Sequence, residues 1–381
     1  MPLIRNLLRI FQLIAAGSYI DIPAWTRKCS PMRMLGAESE EHQRKMNTDE
    51  MKTTFDFWSK PAITPWKPFK IEVIIKVVVS ASGVLGSAVR EAFKSTPHQV
   101  LALSNTRTGD GLVPLDLANT QEVDKVLTEF KPNWVIHCAA ERRPDVAEKN
   151  PEGVQKLNVD VSGHLASLAK SLKYTLVYVS TDYVFDGTSP PYTPSARTNP
   201  LQLYGRTKRD GEQAVLSVNG AKHFFASFHV PQSNPSYGHR YGPAPKNSDS
   251  AVNILLDVVQ DQSGKQYKMD HYATRYPTNV VDIANFLVRL SEFKQSTAIP
   301  PILHYSAAEP FTKYEICLVF AKILNLPHGH IVPDSEAPKG DSATTRPRDC
   351  QLYTKETEDL GVEGGLGLTL FEEWWSEYLK K

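Results

Sequence analysis

The tightest constraint on the fold is the stretch Val77-Val78-Val79-Ser80-Ala81-Ser82-Gly83-Val84-Leu85-Gly86. Consecutive β-branched residues suit a strand covered on both faces, as in a parallel sheet. The small residues that follow permit a tight turn, and Ser87 to Phe93 continues with helical spacing. Strand, small-residue turn and helix together aim backbone N–H groups at a phosphate. Three spaced glycines would complete a dinucleotide fingerprint, but Ser80 stands at the first position, ahead of Gly83 and Gly86. Alone, the stretch is equally consistent with a plain β-turn-α unit.

Its surroundings extend the pattern. Strands are expected at 98–103, 112–117, 134–138 and 176–180. Between them, helices are expected at 122–130 (apolar at 123, 126, 127 and 130) and 151–170 (Val154, Leu157, Val161, Leu165 and Leu168 on one stripe). Repeated β-α units of this length predict an α/β fold, a Rossmann-type doubly wound parallel sheet with right-handed crossovers. The expected organisation is a nucleotide-binding domain over 71–228 and a smaller mixed α/β domain over 229–381, part of which returns to the sheet. The C-terminal part shows helical spacing at 252–259, 282–290 and 371–378, a short strand at 302–306, and a Thr312/Glu315 capping box opening a helix to about Leu324.

Residues 1–70 differ from the rest. Residues 1–36 carry Arg5, Arg9, Arg27, Lys28 and Arg33 against the single acid Asp21, and residues 37–70 are polar and punctuated by Pro61, Pro65 and Pro68. The stretch reads as an unstructured extension and linker; a mitochondrial presequence at 1–36 is the alternative to a cytoplasmic protein. Over the whole chain charge is balanced, with 43 basic and 42 acidic residues, so no global field argues for nucleic acid or a membrane surface. The four cysteines (Cys29, Cys138, Cys317, Cys350) are widely spaced, which argues against a disulfide framework or a structural zinc site and fits a reducing compartment. No apolar run reaches eighteen residues, so no membrane span is expected.

In such sheets a ligand sits beyond the carboxyl ends of the strands. The strand ends therefore nominate Ser80, Ser82, Gly83, Val84, Leu85 and Gly86, then Asn105 to Arg107, Asp116 and Leu117, Ala139, Ala140 and Glu141, and Ser180 with Thr181. No acid follows the second strand; Arg107 stands there, and a cation at that point favours a 2′-phosphate and hence NADP(H) over NAD. Arg107 as a solvated loop cation is the plainer alternative. Further on, Tyr204 and Lys208 form a Tyr-x-x-x-Lys step, one face of a helix. An ammonium beside a phenol favours the phenolate, and with Thr181 or Ser180 binding the same oxygen the set could protonate a carbonyl that receives hydride. Fifteen tyrosines make one such step unremarkable by chance; its place just after a strand ending Ser-Thr is what argues for a catalytic set of Thr181, Tyr204 and Lys208.

The blocks His137-Cys138-Ala139-Ala140-Glu141-Arg142-Arg143-Pro144-Asp145, Asp182-Tyr183-Val184-Phe185-Asp186-Gly187 and Tyr204-Gly205-Arg206-Thr207-Lys208-Arg209-Asp210-Gly211-Glu212 carry a more specific likeness. Over about 73–380 the chain resembles extended short-chain dehydrogenases/reductases of the dTDP-4-dehydrorhamnose reductase group. Within that group the Ala-Ala-Glu-Arg-Arg-Pro-Asp block points to the family of regulatory β subunits of methionine adenosyltransferase. That resemblance implies bound NADP(H), a methionine adenosyltransferase catalytic subunit as partner, and modulation of S-adenosylmethionine synthesis without its own adenosyl-transfer chemistry. The reductase group implies the alternative, NADPH-dependent reduction of a nucleotide-linked 4-keto-6-deoxy sugar. Two departures stand out: Ser80 for the first glycine, and the polar, proline-containing segment at 224–240, which leaves the sixth strand in question. Arg275, Arg346 and Arg348 are candidates for an anionic ligand or a protein partner, and the lone His271 and His304 are expected to be structural.

Overall fold

The structure is a computed structural model that describes residues 75–81, 83–141, 150–220, 222–228, 240–293, 299–337 and 347–380. The extension at 1–70, Ser82, the Arg142–Asp145 part of the discriminating block, most of the unusual segment (229–239) and Arg346 lie outside these residues. The described residues belong to one compact unit, Glu72–Lys381.

The first half of the chain alternates strands and helices in the expected manner. β1 (Lys76–Ser80) leads into α1 (Val84–Lys94), followed by β2 (Gln99–Ser104), β3 (Leu112–Pro114), α2 (Thr120–Phe130) and β4 (Trp134–His137). The next helix is not the single unit its apolar stripe suggests. α3 (Pro151–Gln155) passes through a π-helical turn at Lys156–Asp160 into α4 (Val161–Leu172). β5 (Thr175–Thr181), α5 (Leu203–Leu216) and β6 (Lys222–Phe228) follow. The sixth strand therefore exists, paired in parallel with β5 from Thr175↔Lys222 to Thr181↔Phe228.

The second half contributes β7 (Arg240–Tyr241), α6 (Ile254–Gln260), β8 (Tyr267–Asp270), β9 (Thr278–Asn279), α7 (Val280–Glu292), β10 (Ile302–Tyr305), α8 (Lys313–Leu324), β11 (Ile331–Asp334), α9 (Lys355–Glu358) and α10 (Phe371–Tyr378). The predicted capping box closes the N-terminus of α8: Thr312 accepts from the Glu315 N–H, and the Glu315 carboxylate accepts from the Thr312 N–H at 2.7 Å. Sequence reading gave no hint of β8, β11 or α9, each only four residues long.

The large sheet has seven parallel strands in the order β10-β6-β5-β4-β1-β2-β3. Side chains alternate between its two faces, and both faces are covered. Val77, Val79, Ile136, Val177 and Val179 pack with Val84, Val89 and Phe93 of α1 and with Ile283, Phe286 and Leu287 of α7. Val135, Leu176 and Tyr178 pack on the opposite side with Val123 and Leu127 of α2, Val161, Leu165 and Ala169 of α4, and Val215 of α5. Consecutive apolar residues in β1, β4 and β5 are thus required by burial on both sides. Chain order reverses between β1 and β4, so the strand ends there open a crevice.

A further core gathers Tyr241, residues 252–259, α8 and α10, with Phe371 and Trp375 completely buried. Trp375 packs edge-on against Phe320 and stacks on Tyr241, while its neighbour Trp374 is half-buried and stacks on Tyr378. The pair is core and rim. The Trp375 indole N–H is buried without a hydrogen-bond partner among the described residues, so the residue stabilises through apolar contact. Trp375→Ala should cost about 3–5 kcal/mol in chemical unfolding, whereas Trp375→Phe should cost less than about 1.5 kcal/mol; equal losses would contradict this account.

Candidate functional site

α1 begins where β1 ends. A Cβ on Gly86 would run into the Ser80 carbonyl oxygen, so only glycine lets the first turn of the helix lie this close to the strand. Gly83 differs: it is exposed, it is the N-cap, and a Cβ there would meet nothing within 4 Å. No acidic side chain occupies the first turn, and Gly83 has no side chain to cap it. The N–H groups of the first turn, which have no intrahelical acceptor, thus face open space with the positive end of the helix dipole behind them. That is the chemistry an anionic diphosphate requires.

A cavity of about 400 Å³ opens at this point. It brings together Ser80, Gly83, Val84, Leu85, Gly86, Asp116, Leu117, Ala139, Ala140, Glu141 and Tyr204, along with Asn105 and Thr106. Arg107, Thr181 and Lys208 do not line it. Arg107 is exposed on the loop after β2, its N–H donating to Ser104 Oγ at 3.0 Å. Thr181 is buried as the cap of the short turn 182–184, accepting from the Tyr183 N–H and donating to Asp182. Lys208 lies one helical turn behind Tyr204, almost fully buried.

Sequence reasoning missed several wall residues: Leu103, Ser104, Leu115, Cys138, Leu157, Val179 and, from the second half of the chain, Asp249. Asp249 lies in a turn at 247–249 that no local pattern marks. Asn158 was also missed, and it holds the wall in place. It accepts from the Glu141 N–H (2.9 Å), donates to the Glu141 carbonyl (3.0 Å) and donates to Thr207 Oγ1 of α5 (3.1 Å). It sits in the π-turn, a feature that recurs at functional sites. A signal existed, because position 158 falls four residues from Val154 and three from Val161, on the apolar face.

Beneath the Tyr204 end of the cavity is a layer of buried ionisable groups. α5 approaches closely because Gly205 and Gly211 leave room for the Tyr183 carbonyl and the Tyr178 hydroxyl, respectively. The Lys208 ammonium donates to the Val179 carbonyl at 2.7 Å and lies 3.8 Å from the centre of the Tyr178 ring. Ser180 Oγ donates to the Glu212 carboxyl. Burial pushes Glu212 up to about 7, opposed by the Ser180 hydrogen bond and the Lys208 charge. Burial, with Lys208 adding to it, pushes His137 down to about 3. Tyr178 is raised well above its ordinary value, by burial first and then by Glu212.

Other nominated residues have structural roles. His304 Nδ1 is 3.1 Å from the Tyr192 carbonyl, and burial pushes its pKa down to about 4. His271 Nδ1 pairs with Thr312 Oγ1 at 2.9 Å. Arg275 is buried, bonded to the Thr274 carbonyl and paired with Asp270, so it offers no docking surface, whereas Arg348 is exposed over the Tyr272 ring. Among the described residues no His/Cys/Asp/Glu group could hold a metal ion, and no helix is long and apolar enough to cross a membrane.

This strand order, with a ligand-sized cavity at its switch point, is that of a Rossmann-type doubly wound sheet. The profile of the RmlD substrate binding domain matches residues 76–377. The chain is 42% identical over 287 residues to methionine adenosyltransferase 2 subunit beta of Xenopus laevis, covering 75% of this chain and 82% of that one. It is 38% identical over 288 residues to the protein of the same name from Bos taurus, with the same coverage of 75% and 82%. The chain belongs to the RmlD substrate binding domain family, in the group of methionine adenosyltransferase 2 subunit beta. Among solved structures it resembles dTDP-4-dehydrorhamnose reductase from Bacillus anthracis in complex with NADP (TM-score 0.67, 22% identity, 81% of this chain and 99% of that one). It also resembles the Bordetella bronchiseptica enzyme WbmG in complex with NAD and UDP (TM-score 0.61, 18% identity, 80% and 92%).

The buried layer fixes a pH signature of stability. Glu212 binds its proton more tightly folded, at about 7, than at its ordinary 4.5, so its contribution is complete below about 4.5 and is lost as pH rises to about 7. His137 runs the other way: its contribution is complete above its ordinary 6.5 and is lost as pH falls toward about 3. The two oppose each other in the overlap, so a single variant must separate them. Glu212→Gln should gain on the wild type by on the order of 3 kcal/mol between pH 4.5 and 7 in urea unfolding; a constant difference across that range would contradict the assignment.

Proposed function

We propose that this chain is a regulatory subunit of methionine adenosyltransferase: it holds NADP(H), assembles with the catalytic subunit and modulates S-adenosylmethionine synthesis. The observation that carries this reading is the 42% identity, over three-quarters of the chain, to a protein named as that subunit. The cavity supports the cofactor. The N-terminus of α1 suits the pyrophosphate, the open space at Gly83 admits it, and Ser104, Asn105 and Thr106 offer neutral donors beside β2. Arg107, on the same loop, is the group proposed to reach a 2′-phosphate. When bound, the nicotinamide supplies hydride chemistry; in the regulatory reading the chain's own residues bind and orient the cofactor and fix the surface presented to the partner. A second reading, a working reductase of a nucleotide-linked keto sugar, is favoured by Tyr204, which lines the same cavity with Lys208 behind it.

Co-purification with a methionine adenosyltransferase catalytic subunit, followed by its kinetics, tests the first reading; neither complex nor kinetic change would end it. NADPH oxidation with a panel of keto sugars, abolished by Tyr204→Phe, would instead establish the second. The cofactor site has its own test. Gly83→Asp puts a carboxylate where the pyrophosphate is proposed to lie, with room to spare in the fold. Free-chain stability should hold or rise by about 0.5–1 kcal/mol, as for any good N-cap, while NADPH affinity falls at least about tenfold. Unchanged affinity would move the cofactor elsewhere. Arg107→Ala should weaken NADPH by about tenfold and leave NADH within about twofold.

A further inference from the structure

Tyr204, Lys208 and Glu212 stand at i, i+4 and i+8 on α5, and therefore share one face of the helix. The first lines the cavity; the other two are buried beneath it. Val179 also lines the cavity, and its carbonyl accepts the Lys208 hydrogen bond, so one residue of β5 separates the ammonium from whatever occupies that end. The Lys208 charge also acts on Glu212, one helical turn further along α5, which Ser180 holds by a hydrogen bond. The groups facing Glu212 are Lys208 and Arg209 from α5 and Ser180 from β5. Tyr178, raised by burial, and His137, held near 3, keep one charge state through neutral pH.

We propose that Glu212 is a proton-exchanging positioning residue through which the cavity distinguishes an oxidised from a reduced nicotinamide dinucleotide. The inference rests on the reading that the cavity holds such a cofactor. With the pyrophosphate at α1 and the β2 and β3 loops at one end, the nicotinamide falls toward Val179 and Tyr204. The two redox forms carry the same phosphates and differ by one positive charge on that ring. A ring cation is repelled by Lys208 and is tolerated better when Glu212 is ionised and neutralises it. Binding of the oxidised form therefore expels a proton from Glu212, and binding of the reduced form does not. The proton goes to solvent, and no bond other than the carboxyl O–H is broken. Through a site of intermediate dielectric such a coupling is worth about tenfold in a binding constant.

The test is calorimetric titration of the full chain with NADP⁺ and with NADPH at about pH 5.5, 7 and 8.5, each in two buffers of different ionisation enthalpy. The oxidised-to-reduced affinity ratio should rise about tenfold across that range, with proton release only for the oxidised form near its middle. Glu212→Gln should flatten the ratio to within about twofold. Ser180→Ala, which removes the hydrogen bond favouring the ionised carboxyl, should shift the midpoint upward and serves if the first variant does not fold. Equal proton release for both forms overturns the proposal. So does a pH-dependent ratio that survives Glu212→Gln and disappears in Tyr204→Phe, since the proton would then be the phenol's. If neither form binds at any pH, the cofactor reading itself fails and this proposal falls with it.

Discussion

The contact between Gly86 and the Ser80 carbonyl governs the geometry of the cavity. It lets α1 start directly against the end of β1, at the point where strand order reverses. With any larger residue the helix would stand off, and its free N–H groups would no longer sit over the crevice between β1 and β4. The cover of the sheet follows from the same placement, because Val84, Val89 and Phe93 reach the face formed by Val77 and Val79 only if the helix lies this close. α7 then completes that face from the far half of the chain. The imperfect glycine motif is thus complete where packing demands it, at position 86. It is also glycine at position 83, where the fold leaves open space.

Much of this was legible in the sequence because the demands are local. Adjacent β-branched residues in β1 and the apolar stripe through α2 follow from burial and period alone. The strand ends could be turned into a site because a parallel sheet puts its ligand in one place. What could not be read was whatever depends on distant partners. Asp249 reaches the wall from a turn more than a hundred residues beyond β4. The π-turn at 156–160 is invisible to a 3.6-residue period, yet it points Asn158 at Glu141 and Thr207. Short strands such as β8 and β11 carry too few residues for a pattern and exist because they pair with each other.

The Asp182-Tyr183-Val184-Phe185-Asp186-Gly187 block shows how a motif of this group can be scaffold. Tyr183, Val184 and Phe185 are buried, and Phe185 stacks on Tyr192. Burial alone would raise the Asp186 carboxyl, but hydrogen bonds from Thr188, Asn199 and Tyr192 outweigh it and hold the group well below the usual carboxylate range. Gly187, at φ +80°, lies against Pro347 and Arg348. The block ties the loop after β5 to the segment that precedes α9, and none of its side chains lines the cavity.

The same argument reaches the Tyr-x-x-x-Lys step. Lys208 is buried, bonds the Val179 carbonyl, covers the Tyr178 ring and faces Glu212. Removing it would leave the Val179 carbonyl short of a donor, a loss of about 1–3 kcal/mol, and would take from Glu212 one of the two cations, with Arg209, that favour its ionised form. Tyr204 is fixed in turn by the helix that Lys208 anchors. The burial and contacts of Lys208 therefore need no catalytic role to explain them. The two readings are therefore separated by what approaches Tyr204 from the open side of the cavity, since Lys208 does not line it.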